Sequence, residues 1–144
     1  MKIETVSAKV ILPLRRDILR PGYSLEESKF EGDSDPDTFH LAAILKEDII
    51  GVATLMKDPY PLLPGTNQYR LRGMAVSEDH QGKGIGKKIL IKAIRLMTDK
   101  DVDYLWFNAR SHAVEFYRKQ GFVTKGEEFS IPTVGPHYFM YRKL

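Results

Sequence analysis

A mixed α/β domain whose central sheet is mostly antiparallel and carries flanking helices is the fold class the sequence predicts, on three observations. Residues 38–45 and 49–56 are β-prone runs joined by the short turn Lys46-Glu47-Asp48, which makes an antiparallel hairpin. Residues 84–97 bring Ile89, Leu90, Ala93, Ile94 and Met97 to helical spacing and leave Lys87, Lys88, Lys92 and Arg95 elsewhere, the pattern of a helix lying on a sheet. The elements follow in the order β-α-β-β-β-α-β-α-β-β with no repeat, low-complexity stretch or linker, and 144 residues suit one domain, 1–144.

Taken in order, residues 1–6 read as a first strand and 8–20 as a helix closed by Pro21-Gly22, with Pro13 tolerable only near the first turn. The acidic stretch 26–37 contains Gly32 and Pro36 and reads as a loop or short helix. In 38–45, Phe39, Leu41, Ala43 and Leu45 alternate onto one face. Three prolines between Asp58 and Gly65 exclude a helix interior or a central strand, so this segment is a loop. Residues 68–76 form the next strand, and Gly73 within it suggests a bulge or a close backbone approach. After the 84–97 helix come an aromatic-rich strand at 103–108, Ser111 as the N-cap of a helix at 113–120, and Gly121 to end it. Residues from Phe122 onward and 137–142 supply the closing strands.

Composition excludes several classes. Nothing approaches the ~18 apolar residues of a membrane span, no signal peptide opens the chain, and the expected location is the cytoplasm. With no cysteine and four unclustered histidines, no metal is expected. The net charge of +3 does not argue for nucleic acid, and the basic residues are not interleaved with aromatics. Charge is uneven, however: six carboxylates fall between Glu26 and Asp37, and six basic residues between Lys83 and Lys100.

The chemistry concentrates in Gln81-Gly82-Lys83-Gly84-Ile85-Gly86. Glycines between a strand and a helix can turn several backbone N–H groups toward one anion, because no Cβ blocks the approach. A dinucleotide fingerprint would need glycine where Lys87 stands, and a Walker loop would need glycine at Gln81 and Ser or Thr at Lys88, so both fail. On the residues alone, the loop reads first as a plain turn and Phe116 and Tyr117 as an ordinary core face, while Asn108 is equally a turn former.

The spacing Gln81-x-x-Gly84-x-Gly86 resembles the Q/R-x-x-G-x-G/A signature of the GNAT acetyltransferases. The preceding Leu71-Arg72-Gly73-Met74-Ala75-Val76 looks like that family's bulged strand, and Ala113 to Phe122 resembles its A-x-x-F-Y-x-x-x-G-F segment. These motifs cover some two-fifths of the chain.

The resemblance implies a GNAT-like fold and an N-acetyltransferase that uses acetyl-CoA, without metal. Backbone groups of Met74, Ala75 and Val76 would hold the pantetheine arm and supply an oxyanion N–H. Gln81, Gly82, Lys83, Gly84, Ile85, Gly86 and Lys87 would surround the pyrophosphate. Asn108 would bond the arm where the strands part, Phe116 and Tyr117 would flank the thioester, and Tyr117 would protonate the departing thiolate. Partners would be acetyl-CoA and an amine acceptor, with no nucleic acid and no membrane; a homodimer is compatible. Where some members carry a glutamate base this strand has Arg70 and Arg72, so water, His137 or an acidic residue of 26–37 remain open for that role. The acidic run suggests a cationic acceptor. The alternative function is a non-catalytic acyl-CoA-binding or sensing domain.

Overall fold

The computed structural model describes residues 1–144. Eight strands form one sheet in the spatial order β1-β2-β3-β4-β5-β8-β6, with β7 also paired to β8. The strands are β1 (Lys2–Val6), β2 (Phe39–Leu45), β3 (Asp48–Lys57), β4 (Gln68–Val76), β5 (Tyr104–Arg110), β6 (Val123–Thr124), β7 (Phe129–Ile131) and β8 (Gly135–Lys143). Every pairing is antiparallel except β4 with β5. The expected fold class and hairpin hold. The three-residue β7 is an addition to the expected order: Thr133, at φ 65°, turns the chain so that Ile131 meets Gly135 across a tight hairpin.

Three helices accompany the sheet: α1 (Ala8–Leu19), α2 (Ile85–Asp99) and the single turn-and-a-half α3 (Val114–Arg118). Successive strand residues face opposite sides, and the core divides accordingly. Leu41, Ala43, Ala53 and Leu55 pack with Ile85, Ile89, Leu90, Ala93 and Met97 of α2, whereas Ala42, Val52 and Ala75 pack with Ile11 and Leu12 of α1. Gly51 lets α2 come close, since a Cβ there would lie 2.7 Å from Cδ1 of Ile89.

Two local expectations are corrected. Pro13 lies in the second turn of α1 rather than its first, so the Lys9 carbonyl loses its helical donor. Ser111 does not cap the third helix: a 3-10 turn, Ser111–Ala113, intervenes, α3 starts at Val114, and the Ser111 hydroxyl donates instead to Glu128 at 2.7 Å. Gly121, at φ 87°, does end that helix and turns Phe122 into the core.

No helix is long and apolar enough to cross a membrane.

Candidate active site

β4 and β5 pair in parallel only at Gln68–Tyr104, Tyr69–Leu105 and Arg70–Trp106. Beyond these positions the strands diverge, and the gap between 71–74 of β4 and 107–110 of β5 is a cleft of about 490 Å³. The parting has two local causes. On its other side β4 bulges against β3, where the register slips between Val52 and Thr54. Gly73 sits in that bulge at φ 64°, and the ring of Phe30 fills the place of a Cβ, 2.8 Å from it. Past Arg70, β4 therefore has an edge with no strand partner, and backbone groups on such an edge are free to bind an extended ligand.

The free edge leads to the N-terminus of α2. Gly82 and Gly84 adopt φ 76° and 80°, and no atom lies within 4 Å of a Cβ built on either, so their surroundings are open. Gly84 is the N-cap, no side chain caps the helix, and its carbonyl accepts the first bond from Lys88 N–H. The N–H groups of Ile85, Gly86 and Lys87 thus have no helical partner, and the helix dipole adds positive potential to them. Buried Ile85 anchors this turn in the core, while Lys83 and Lys87 are exposed. Gly86 brings the helix close to the Met74 sulfur, 3.6 Å from where its Cβ would be. The Gln81 side chain reaches back and donates to the Val76 carbonyl at 2.9 Å, tying loop to strand.

Asn108 and Tyr117 both line the cleft. The Tyr117 ring packs against Phe107, with centroids 4.4 Å apart, and against Phe122 at 6.3 Å. Burial raises the Tyr117 phenol above its ordinary value, so it keeps its proton at neutral pH. Phe116 is exposed and does not line the cleft; its ring makes an edge contact with Tyr117, centroids 5.0 Å apart.

His137 also lines the cleft and is buried. Its Nδ1 lies 2.8 Å from the Gly135 carbonyl and so must carry the hydrogen, which leaves the Nε2 lone pair unprotonated in the neutral ring. Arg72, Arg110 and His112 complete the charged and polar lining, with Ile18, Leu19 and Val134 as apolar wall. Alternation on β5 puts Arg110 on the face of Asn108. The reach of α1 to this wall had no sequence signal, because it depends on how the helix crosses the sheet.

The acidic segment is used differently from the expectation. The Asp33 carboxylate accepts two hydrogen bonds from Arg15, at 2.7 and 3.1 Å, and one from Phe30 N–H at 2.8 Å. Burial alone would raise its pKa, but these bonds and the Arg15 charge outweigh burial and hold it below the ordinary value. Arg15 also donates to Thr54 Oγ1 at 2.7 Å, and that hydroxyl donates to His40 Nδ1 at 2.8 Å, while His40 Nε2 donates to the Asp33 carbonyl at 2.9 Å. Asp33 is therefore a structural ion and no candidate base. Glu31, Asp35 and Asp37 line a separate hollow of about 550 Å³ that meets the cleft only at Arg72.

Comparison with known proteins gives the same fold. The model of the acetyltransferase (GNAT) family matches residues 10–122. The chain is 33% identical, over its whole length and 97% of the relative, to the uncharacterized N-acetyltransferase YitI of Bacillus subtilis. It superposes on an acyl-CoA N-acyltransferase from Pseudomonas aeruginosa with a TM-score of 0.79, at 19% identity over 99% of both chains. An aminoglycoside 6'-N-acetyltransferase complexed with coenzyme A gives 0.75, at 15% identity over 99% of this chain and 97% of that one. Family model, full-length relative and superposable structures agree with the open β4 edge and the uncapped α2 terminus: the chain belongs to the GNAT family of acetyltransferases.

Proposed function

We propose that this enzyme passes the acetyl group of acetyl-CoA directly to an amine seated in the cleft between β4 and β5. The observation that carries the reading is the continuity of that cleft with the unpartnered edge of β4 and the uncapped N-terminus of α2. The residues present fit the donor: a free strand edge suits the amide-containing pantetheine arm, and open space beside Gly82 and Gly84 suits a pyrophosphate. Acetyl-CoA, when bound, supplies an activated acyl carbon on a thiol leaving group.

The roles of the chain's own groups follow. Backbone N–H groups along 74–76 hold the arm and offer a donor to the carbonyl oxygen as charge develops on it. N–H groups of Ile85, Gly86 and Lys87, helped by Lys83 and Lys87, hold the pyrophosphate. Asn108 bonds the arm from the opposite strand. His137 Nε2 accepts the proton that the amine must lose as the new N–C bond forms and the C–S bond breaks. Tyr117 gives its proton to the departing sulfur. Nothing here favours a pure binding module, which has no use for a donor and an acceptor on either side of one cleft.

Calorimetric titration of acetyl-CoA and amine-dependent release of free thiol test the reading. Binding together with release supports it, and absence of acetyl-CoA binding by the folded protein overturns it.

A further inference from the structure

Three arginines, Arg15, Arg70 and Arg72, converge on the corner where α1 meets the β4 bulge, and only two have a carboxylate. Arg15 is paired to Asp33 at 2.7 Å and Arg70 to Asp58 at 3.8 Å. Arg72 forms no ion pair, although it is half-buried, and neither does Arg110. Both line the cleft, and no aspartate or glutamate does. Arg72 lies over the Phe30 ring, its guanidinium carbon 4.0 Å from the ring centre, the same ring that fills the space beside Gly73. Arg110 stands directly across the ladder from His137.

We propose that the acceptor is an amine that carries an anionic group, a carboxylate or a phosphate, which Arg72 and Arg110 bind. The proposal rests on the acetyl-transfer reading above and names its substrate class. A planar guanidinium pre-oriented on an aromatic face meets an oxyanion with little ordering cost, and its fork matches the two oxygens of a carboxylate. Within the cleft a polyamine or other multiply cationic acceptor would face two positive charges, Arg72 and the exposed Arg110, while the nearest carboxylates lie in the adjoining hollow on the far side of Arg72. The same charges favour the neutral form of the amine, which is the form that attacks. Ile18, Leu19 and Val134 leave an apolar side for the rest of a small acceptor. Burial, and after it the neighbouring charges of Arg70 and Arg15, push Arg72 below its ordinary value, a strain that a bound anion relieves.

The test compares paired acceptors with the intact protein. Glycine, L-glutamate, L-phenylalanine and O-phosphoethanolamine are set against glycinamide, L-phenylalaninamide, ethanolamine and spermidine, with thiol release as the rate. Expected is a preference for the anionic member of each of the three matched pairs and for L-glutamate over spermidine, the amino acids and O-phosphoethanolamine telling carboxylate from phosphate. Arg72→Gln should raise KM for the preferred acceptor about ten- to a hundredfold, the loss expected when a charged hydrogen-bond partner is removed, with acetyl-CoA affinity unchanged. Arg72→Lys, which keeps the charge, should recover part of it. Independently of turnover, the N-acetylated product of the preferred acceptor should bind the coenzyme A-loaded protein calorimetrically, and that binding should be lost in Arg72→Gln. If acetyl-CoA binds but uncharged amines or spermidine are preferred, or if Arg72→Gln leaves KM and product binding unchanged, the inference fails while the acetyl-transfer reading stands. Failure of acetyl-CoA to bind would overturn both.

Discussion

At the scale of single residues, Tyr117 and Gly84 separate chemistry from architecture. Tyr117 is both a packing ring, between Phe107 and Phe122, and a phenol at the cleft. Tyr117→Phe keeps the ring and removes the proton donor, so kcat should fall while acetyl-CoA affinity stays within about twofold; general acids contribute ~10²–10⁴-fold, and the loss is smaller if the thiolate leaves early. Single-turnover kinetics checks this, and an unchanged chemical step would reduce Tyr117 to a core residue. Gly84 is open but left-handed, so replacing it mixes backbone strain with charge. The pair Gly84→Asn and Gly84→Asp resolves them, because asparagine tolerates that conformation and has the same shape without the charge. Asparagine should weaken acetyl-CoA binding modestly and aspartate by a further ~10-fold or more, read by calorimetry on folded protein. The glycine spacing made this loop legible in the sequence. The role of Arg72 was not, since a strand residue's lack of a carboxylate partner depends on Arg15 and Arg70 having taken theirs.

At the scale of elements, the segment between α1 and β2 has the 3-10 turn Glu26–Ser28 as its regular structure, and one buried ion pair, Arg15 with Asp33, fastens it to the core. Asp33 holds Arg15 on one side and the Phe30 N–H on the other, and so positions the ring that fills the β4 bulge. Asp33→Asn should destabilise the fold by about 3 kcal/mol, the cost of leaving a buried arginine uncompensated. The pH dependence has a definite sign. Because the folded pKa is depressed, the stabilisation is fully present above the ordinary carboxylate value of ~3.9 and is lost as pH falls through the lower folded value. Urea midpoints measured from pH 6 down to 3 should therefore fall more steeply for the native protein than for Asp33→Asn, and parallel curves would refute the assignment. In the sequence this carboxylate was one of six in a run, and nothing local distinguished it. Its partner lies eighteen residues away on a helix whose buried face was legible only through its apolar members. The hairpin β2–β3 and helix α2 were legible because their periodicities alone determine which side is buried.

At the scale of the whole molecule, the sheet has two parts, β1 to β4 and β5 with β6 to β8, that are hydrogen-bonded to each other at one end only. That end is reinforced: the buried Gln68 amide accepts from Tyr60 N–H and donates to the carbonyls of Leu63, Pro64 and Gly65, and the Trp106 indole donates to the Asp58 carbonyl at 2.7 Å. The proline-rich loop that read as a mere connection is thus a fastening, a function invisible until the buried glutamine is seen beneath it. The family motifs lie on both sides of the parting, which is why the strands and loop that border the cleft were legible in the sequence while its apolar wall, made of α1 and the β7–β8 turn, was not. In mechanical terms the sheet is a tuning fork, with Gln68 to Arg70 and Tyr104 to Trp106 as its stem and the diverging ends of β4 and β5 as its tines. Something lodged between the tines damps them without touching the stem. Amide hydrogen exchange should accordingly slow at 71–76 and 107–110 when acetyl-CoA is added and stay unchanged at the stem; protection confined to the stem would mean that the ligand sits elsewhere. On the reading proposed above, the three backbone pairs, stiffened by one glutamine, are the strand pairing that would resist a wider opening of the tines as spent coenzyme A leaves.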